Sequence, residues 1–374
     1  MSTTYPTREE FICRGAAEQR VMSVPRESWT KVFEIDPTTD PRWRALAFLH
    51  PKASVFHQVE WLQALKECYR YEPRALTFTP PGLPLRSGLV FCRIRSALTG
   101  NRVVSLPFSD HCEPLVECQE EFDALLSNLV QKVKESRWKY IEIRPLSFAS
   151  VGGRGFASCI SYYMHRLYVQ LSEEQLFKSF HKDSVQRKIR RAERERLRYE
   201  EGSSEALLDE FYQLLVVTRR RQGLPPQPRK WFRALLKHSG ANAKIRVACK
   251  DNRPVASILT ISDRKTMVYK YGCSDARFNN LGGTALLFWK MIQEARANGL
   301  DEVDLGRSDI DNPGLAAYKE HWGAKRTTVS YWRYPARAAM SRPESNIQHV
   351  KRLVSVAPDW SIVMLGNLLY RHIG

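Results

Sequence analysis

The sequence predicts a mixed α/β chain made of two halves built to one plan. Three observations carry this. Helix-spaced apolar stretches alternate with short β-branched runs along the chain. Three strand runs joined by tight-turn residues follow one another between positions 244 and 272. The order strand, helices, meander, helix, strand, helix, strand in 166–335 is repeated more loosely before it. With 374 residues the chain has room for two domains. Its 43% hydrophobic and 11% aromatic content excludes a disordered chain.

In order, Met1–Trp29 reads as a loose arm and Lys31–Ile35 as a short strand. Pro41–Leu49 and Phe56–Tyr69 read as helices, the second with Phe56, Val59, Leu62, Leu65 and Tyr69 at helical spacing. Arg74–Thr79 and Gly88–Ile94 form a hairpin around a Pro/Gly turn. Arg102–Phe108 is a strand, Phe122–Val133 a helix and Tyr140–Ile143 a strand. After the break at Gly152–Gly155, Tyr163–Leu171 is a strand, followed by Ser172 as an N-cap with Glu173 and Glu174 in the first turn. Helices are expected at about 184–198 and 205–221, with a third from Trp231. The strands Lys244–Cys249, Val255–Ile261 and Met267–Gly272 are separated by turns rich in Asp, Asn and Pro. A helix over Thr284–Ala297 ends at Gly299. Glu302–Leu305, Leu315–His321 and Thr327–Tyr334 complete the half as strand, short helix and strand. The expected organisation is an arm at 1–29, domains at 30–165 and 166–335, and a helical extension at 336–374. Val350–Ile373 is partly amphipathic and interrupted by Pro358.

Lys and Arg number 58 against 40 Asp and Glu, for a net charge of +18, which draws polyanions and anionic surfaces. From Lys178 to Lys237, 16 basic residues face 8 acidic ones. Nearly half of the excess therefore lies in one helical stretch, read as a basic insertion at about 173–240. Within it Arg187, Arg190, Arg191, Arg194 and Arg198 stack on one helix face. Arginine forks suit bidentate phosphate holding, so Arg187 and Arg190 are candidate phosphate ligands. The eight Cys include no CxxC and the nine His no metal spacing, so no metal is expected. No signal peptide or bilayer-length apolar run stands out, and the chain reads as cytoplasmic.

Three motifs bear chemistry. Asn279-Asn280-Leu281-Gly282-Gly283-Thr284 precedes the long helix. Glycines there let backbone N–H groups converge at a helix N-terminus, which suits a pyrophosphate. Tyr269 and Tyr271 alternate with Val268 and Lys270 on one strand, which puts both tyrosines on one side, either in the core or lining a cleft. Asp304-Leu305-Gly306-Arg307-Ser308 is followed by Tyr318-Lys319-Glu320-His321-Trp322-Gly323.

With Leu106-Pro107-Phe108-Ser109-Asp110 in the first half, these motifs resemble the Fem-like branch of the GNAT acyltransferase superfamily, over roughly residues 55–334. That branch includes peptidoglycan-bridge aminoacyltransferases. The resemblance implies two tandem GNAT-like domains, each a central, mostly antiparallel sheet flanked by helices, sharing one active site near their junction. It implies Lys319 as the active-site lysine, stabilising an oxyanion or a phosphate, and Asp110 as the acid facing the acceptor. Tyr271 joins them as a catalytic candidate, with Tyr269 and Arg307 as substrate contacts. Gly282, Gly283 and Thr284 are the implied cofactor-binding residues, although Arg277, Gly282 and Gly283 depart from the family's Q/R-x-x-G-x-G/A spacing.

The expected function is transfer of an acyl or aminoacyl group from CoA or another carrier to an amine or hydroxyl of a phosphate-bearing cell-envelope, lipid or polysaccharide precursor. No cofactor is expected to be permanently bound, and the donor is acyl-CoA or aminoacyl-tRNA. The alternatives are a tRNA-dependent aminoacyltransferase of the peptidoglycan-bridge type and a non-catalytic binding module. Expected partners are a phosphate-bearing or lipid-linked acceptor, tRNA, and an anionic membrane at the inner face.

Overall fold

The computed structural model describes residues 31–146, 154–339 and 354–374. The expected arm at 1–29 and the start of the C-terminal extension lie outside the described residues. The first half runs β1 (Phe33–Ile35), α1 (Pro41–Leu49), α2 (Val59–Tyr69), β2 (Glu72–Thr77), β3 (Leu89–Ile94), β4 (Arg102–Val104), α3 (Gln119–Glu135) and β5 (Ile141–Ile143). A long strand, β6 (Ala157–Tyr168), leads to α4 (Glu173–Ser179), and a π-turn at Lys182–Gln186 runs into α5 (Arg187–Arg194). Next come β7 (Arg198–Gly202), α6 (Glu205–Arg221), α7 (Arg229–Ser239), β8 (Ala243–Lys250), β9 (Arg253–Ser262) and β10 (Thr266–Ser274). The second half closes with α8 (Gly283–Ala297), β11 (Glu302–Asp309), α9 (Pro313–Glu320) and β12 (Lys325–Tyr334). A terminal helix, α10 (Asp359–Ile373), follows.

Local chemistry starts these helices where the sequence places them. Pro41 opens α1 behind Asp40, whose carboxylate accepts from the Arg42 N–H. Ser172 and Gln175 form a reciprocal capping box on α4, and the Ser204 hydroxyl caps α6 through the Leu207 N–H.

The twelve strands of the described residues form one sheet, in the order β1-β2-β3-β4-β5-β12-β6-β11-β10-β9-β8-β7. Each half contributes an antiparallel meander and then, after a crossover helix, a strand parallel to the last of the meander: β4 with β5, and β10 with β11. The halves then exchange strands. β12 pairs with β5 of the first half, and β6 pairs with both β11 and β12. The expected domain boundary at 165/166 lies inside β6 (Ala157–Tyr168), along which the two expected sheets join into one.

The stretch at 173–240 packs its helices into both main cores. Its helix ends at Arg194, not 198, because Arg196 takes a left-handed φ of 53°. Residues 198–202 then form β7, the edge strand beside β8, where alternating charges discourage further pairing. Phe211, Leu214, Trp231 and Phe232 from α6 and α7 share one core with Trp43, Phe56 and Trp61 of the first half. Trp61 and Trp231 meet edge-to-face at 5.2 Å across that seam.

A second core packs α5 and α8 on the sheet. Here the glycine pair has a steric purpose. Gly282 sits at φ +81°, and a Cβ built there would overlap the Lys188 carbonyl oxygen of α5. A Cβ on Gly283 would press on Ala256 and Val255 of β9 at 3.2 Å. Gly282→Ala should therefore lower the urea unfolding free energy by about 1–3 kcal/mol through overpacking. An unchanged midpoint would show that α5 does not rest on this loop.

Candidate active site

The parallel pairing of β10 and β11 covers only Thr266–Val268 against Glu302–Asp304. Beyond it both strands lose register, β10 between Tyr269 and Tyr271 and β11 between Asp304 and Arg307. Gly306 bends β11 at φ +70°, a conformation open to glycine. The irregularity in β10 overturns the expectation that both tyrosines face one side. Tyr269 packs under α8 on Phe288, with ring centroids 4.7 Å apart. Tyr271 turns to the opposite core, where its hydroxyl accepts from Trp231 Nε1 at 2.9 Å and its ring meets Phe232.

Into the gap between the strands the first half inserts Ser109–His111. Phe108, at φ +62°, turns the chain out of the sheet two residues before Asp110, so the strand expected over Arg102–Phe108 ends at Val104. The buried Asp110 Oδ2 accepts from Lys270 Nζ at 2.8 Å, and its Oδ1 lies 3.7 Å from Arg307 Nε. The Tyr331 hydroxyl donates to the Asp110 carbonyl at 2.8 Å and accepts from Arg307 Nη1 at 2.7 Å. A Cβ on Gly306 would stand 3.4 Å from Asp110 Oδ2, so the carboxylate lies directly on the bend.

Lys319 reaches the same bend from α9. It is 3% exposed and donates to the carbonyls of Gly306 at 2.9 Å and Arg307 at 3.0 Å. The lysine is thus fixed in place rather than a mobile surface cation. Burial pushes its pKa down to about 8, against the pull of Asp110 and Asp304. Burial also lowers Lys270, partly offset by Asp110. On the other side of the bend, His111 Nε2 lies 3.6 Å from Asp304 Oδ2, and the Gly306 N–H donates to Asp304 Oδ1 at 2.7 Å. Burial alone would raise Asp304, but His111 and Arg166 outweigh it and hold the carboxyl below its usual range.

His111 and Asp304 also form the inner wall of a cleft of about 700 Å³ between the halves. Its sides come from Lys52 and Ser54 of the first half, Arg166 of β6 and Asp263 before β10. Burial raises both Asp263 and Glu302 in this cleft.

The structure thus brings Asp110, Lys319 and Arg307 together, with Tyr269 contributing its carbonyl beside Gly306. It places Tyr271 in the core. Gly282, Gly283 and the half-buried Thr284 stand at the start of α8, under α5. Arg187 and Arg190 lie on the exposed face of α5, where Arg187 pairs with Asp183 at 3.1 Å and Arg190 lies over Phe177. Sequence reasoning missed Lys270, Tyr331 and the His111–Asp304 pair. A lysine inside the otherwise apolar run 267–273 was the available signal for the first. Among the described residues no cluster of His, Cys, Asp or Glu could hold a metal ion.

Residues 179–320 match the family model for the acetyltransferase (GNAT) domain. The second half has a GNAT-like fold. No curated protein matches it by sequence. The chain resembles the crystal structure of FemX, with a TM-score of 0.64 at 15% identity, covering 81% of this chain and 97% of that one. It resembles the C-terminal domain of a putative lysylphosphatidylglycerol synthetase from Agrobacterium fabrum at a TM-score of 0.54 and 12% identity, over 80% of this chain and 92% of that one. A tandem GNAT protein from the clavulanic acid biosynthesis pathway follows at 0.52 and 12%, over 81% and 97%. The chain shares its fold with FemX and with a tandem GNAT protein.

Proposed function

We propose that the protein transfers an acyl or aminoacyl group to an amine or hydroxyl of a phosphate-bearing envelope or lipid precursor held in the cleft between the halves. The observation that carries this reading is the cluster of Asp110, Lys270, Arg307 and Lys319 buried where β10 and β11 part. In such a transfer the acceptor's N–H or O–H attacks the donor carbonyl. Negative charge develops on the carbonyl oxygen as the new bond forms; the carbon–sulfur or carbon–oxygen bond then breaks, and the departing thiolate or alkoxide takes up the proton that the acceptor gives up. Lys319 uses two of its three N–H groups on the Gly306 and Arg307 carbonyls, which leaves one for that oxyanion. Asp110 balances the buried cations and fixes Lys270 and Arg307 toward the acceptor. His111, whose Nδ1 has no partner, takes the acceptor's proton while Asp304 orients the ring.

A donor pyrophosphate would meet the N-terminus of α8, with Thr284 in its first turn and the Arg187–Arg190 face alongside. The exposed arginine face of α5 favours a second reading, in which the donor is aminoacyl-tRNA. A thermal-shift screen of the whole chain against acyl-CoA thioesters, free CoA and aminoacyl-tRNA separates the two. A true donor at a hundred times its Kd adds about 2.7 kcal/mol. Stabilisation by a thioester supports the first reading, and salt-sensitive stabilisation by charged tRNA alone supports the second. No response to any donor would favour a binding module that keeps the fold without the chemistry.

A further inference from the structure

The terminal helix α10 straps the two halves together. On its inner face Ile362 is buried, and Gly366 lies so close to the Pro226 carbonyl that a Cβ would overlap it. Tyr370 donates to the Pro225 carbonyl at 3.1 Å, and His372 Nδ1 pairs with Ser96 Oγ at 2.9 Å in the first half. The helix is therefore held firmly, and its outer face is a fixed surface.

That outer face carries an apolar line, with the exposed Asn367 beside it. Trp360, Met364 and Leu368 recur every fourth residue and are 70%, 54% and 56% exposed, a line about 12 Å long at 1.5 Å rise per residue. A helix docked on a protein ordinarily turns polar residues to water there. Each loop that α10 grips adds one exposed leucine: Leu224 before Pro225, and Leu98 between Ser96 and Thr99. Cations flank both ends. Arg220, from the Arg219–Arg221 run closing α6, pairs with Asp359 at the helix start. At the far end Arg371 is exposed and Lys139 Nζ bonds the Thr99 carbonyl at 3.2 Å.

A tryptophan-led apolar line between basic ends matches a helix lying in the interface of an anionic bilayer. No helix among the described residues is long and apolar enough to cross a membrane, so the contact is with its surface. A second copy of this chain is a poorer occupant, because isologous pairing of this face would bring like charges together. We infer that α10 docks the protein on an anionic membrane, with Trp360, Met364 and Leu368 entering the headgroup layer and the flanking arginines on lipid phosphates. The docked helix adjoins the site: the Tyr370 ring lies tilted 6.0 Å from that of Phe108, two residues before Asp110. The inference needs no particular donor or acceptor, so it stands or falls apart from the proposed transfer.

Co-sedimentation of the full chain with lipid vesicles tests it. Binding to phosphatidylglycerol-rich vesicles should exceed binding to pure phosphatidylcholine at least tenfold and weaken with salt. The triple variant Trp360→Glu/Met364→Glu/Leu368→Glu should lose at least tenfold in binding while keeping its urea midpoint, since all three side chains face water. Arg221→Gln/Arg371→Gln, which leaves the apolar line intact, should lose anionic preference. Equal sedimentation of parent and triple variant would overturn the inference. So would a concentration-dependent dimer, seen by light scattering, that the triple variant abolishes without any vesicle binding.

Discussion

Asp110→Asn should cost about 3–5 kcal/mol of folding stability, a loss far larger than its loss of one hydrogen bond. The reason lies in what it leaves behind. Lys270 is buried, its Nζ is 2.8 Å from the carboxylate, and its ring neighbours are Phe56, Trp61 and Tyr271. Without Asp110 an ammonium stays in an aromatic pocket with only the more distant Asp304 to balance it. Burial already lowers the Lys270 pKa, and removing the partner lowers it further. The folded variant then binds fewer protons than the unfolded chain between that lowered pKa and the ordinary value of 10.5. Its stability deficit should therefore be greatest near neutral pH and shrink as pH rises toward 10.5. The double variant Asp110→Asn/Lys270→Met removes the orphaned charge and should recover most of the loss. Urea midpoints at constant m-value across the double-mutant cycle measure this. A double variant no more stable than Asp110→Asn would mean that the two side chains are not coupled.

The same pair marks the limit of what could be read from residues alone. Helix starts were legible because they are local: Pro41 behind Asp40, Ser172 with Gln175, and Ser204 before α6 each satisfy N–H groups within three residues. The meander β8–β10 was legible because turn residues separate apolar runs. The Pro107-Phe108 step announced a turn at Asp110, and Phe108 does take a left-handed conformation there. What that turn inserts into was not legible, because Lys270 stands 160 positions away. Strand exchange was hidden for a related reason. Alternation in β6 and β12 says which faces are buried but not which half supplies the neighbouring strand. The loss of register at Tyr269 reverses the side on which Tyr271 falls, and no residue type at that point signals it. The glycine pair was seen, but a packing need and an anion cradle ask for the same residue, so the residue type alone did not reveal the close approach of α5.

Lys319→Met should lower kcat/KM for transfer by about 10²–10³, the range for removing one oxyanion donor, with most of the change in kcat. The substitution keeps the apolar stem and removes a buried charge, which offsets the two carbonyls left without a donor, so the variant should remain folded. The pH dependence makes the test specific. With its pKa near 8, the ammonium is present at neutral pH and is lost as pH rises through about 8, so wild-type transfer should fall over that range. The residual activity of Lys319→Met should show no such limb. Folding responds in the opposite sense. The folded pKa of about 8 lies below the ordinary 10.5, so the unfolded chain holds more protons between these values and this lysine's contribution to stability rises with pH. Burial moves the thiols of Cys68, Cys112 and Cys273 upward, away from the start of this window. Transfer that declines above pH 8 while the protein becomes harder to unfold would assign the decline to Lys319. Transfer and stability declining together would point to ordinary alkaline unfolding and remove Lys319 from the reaction.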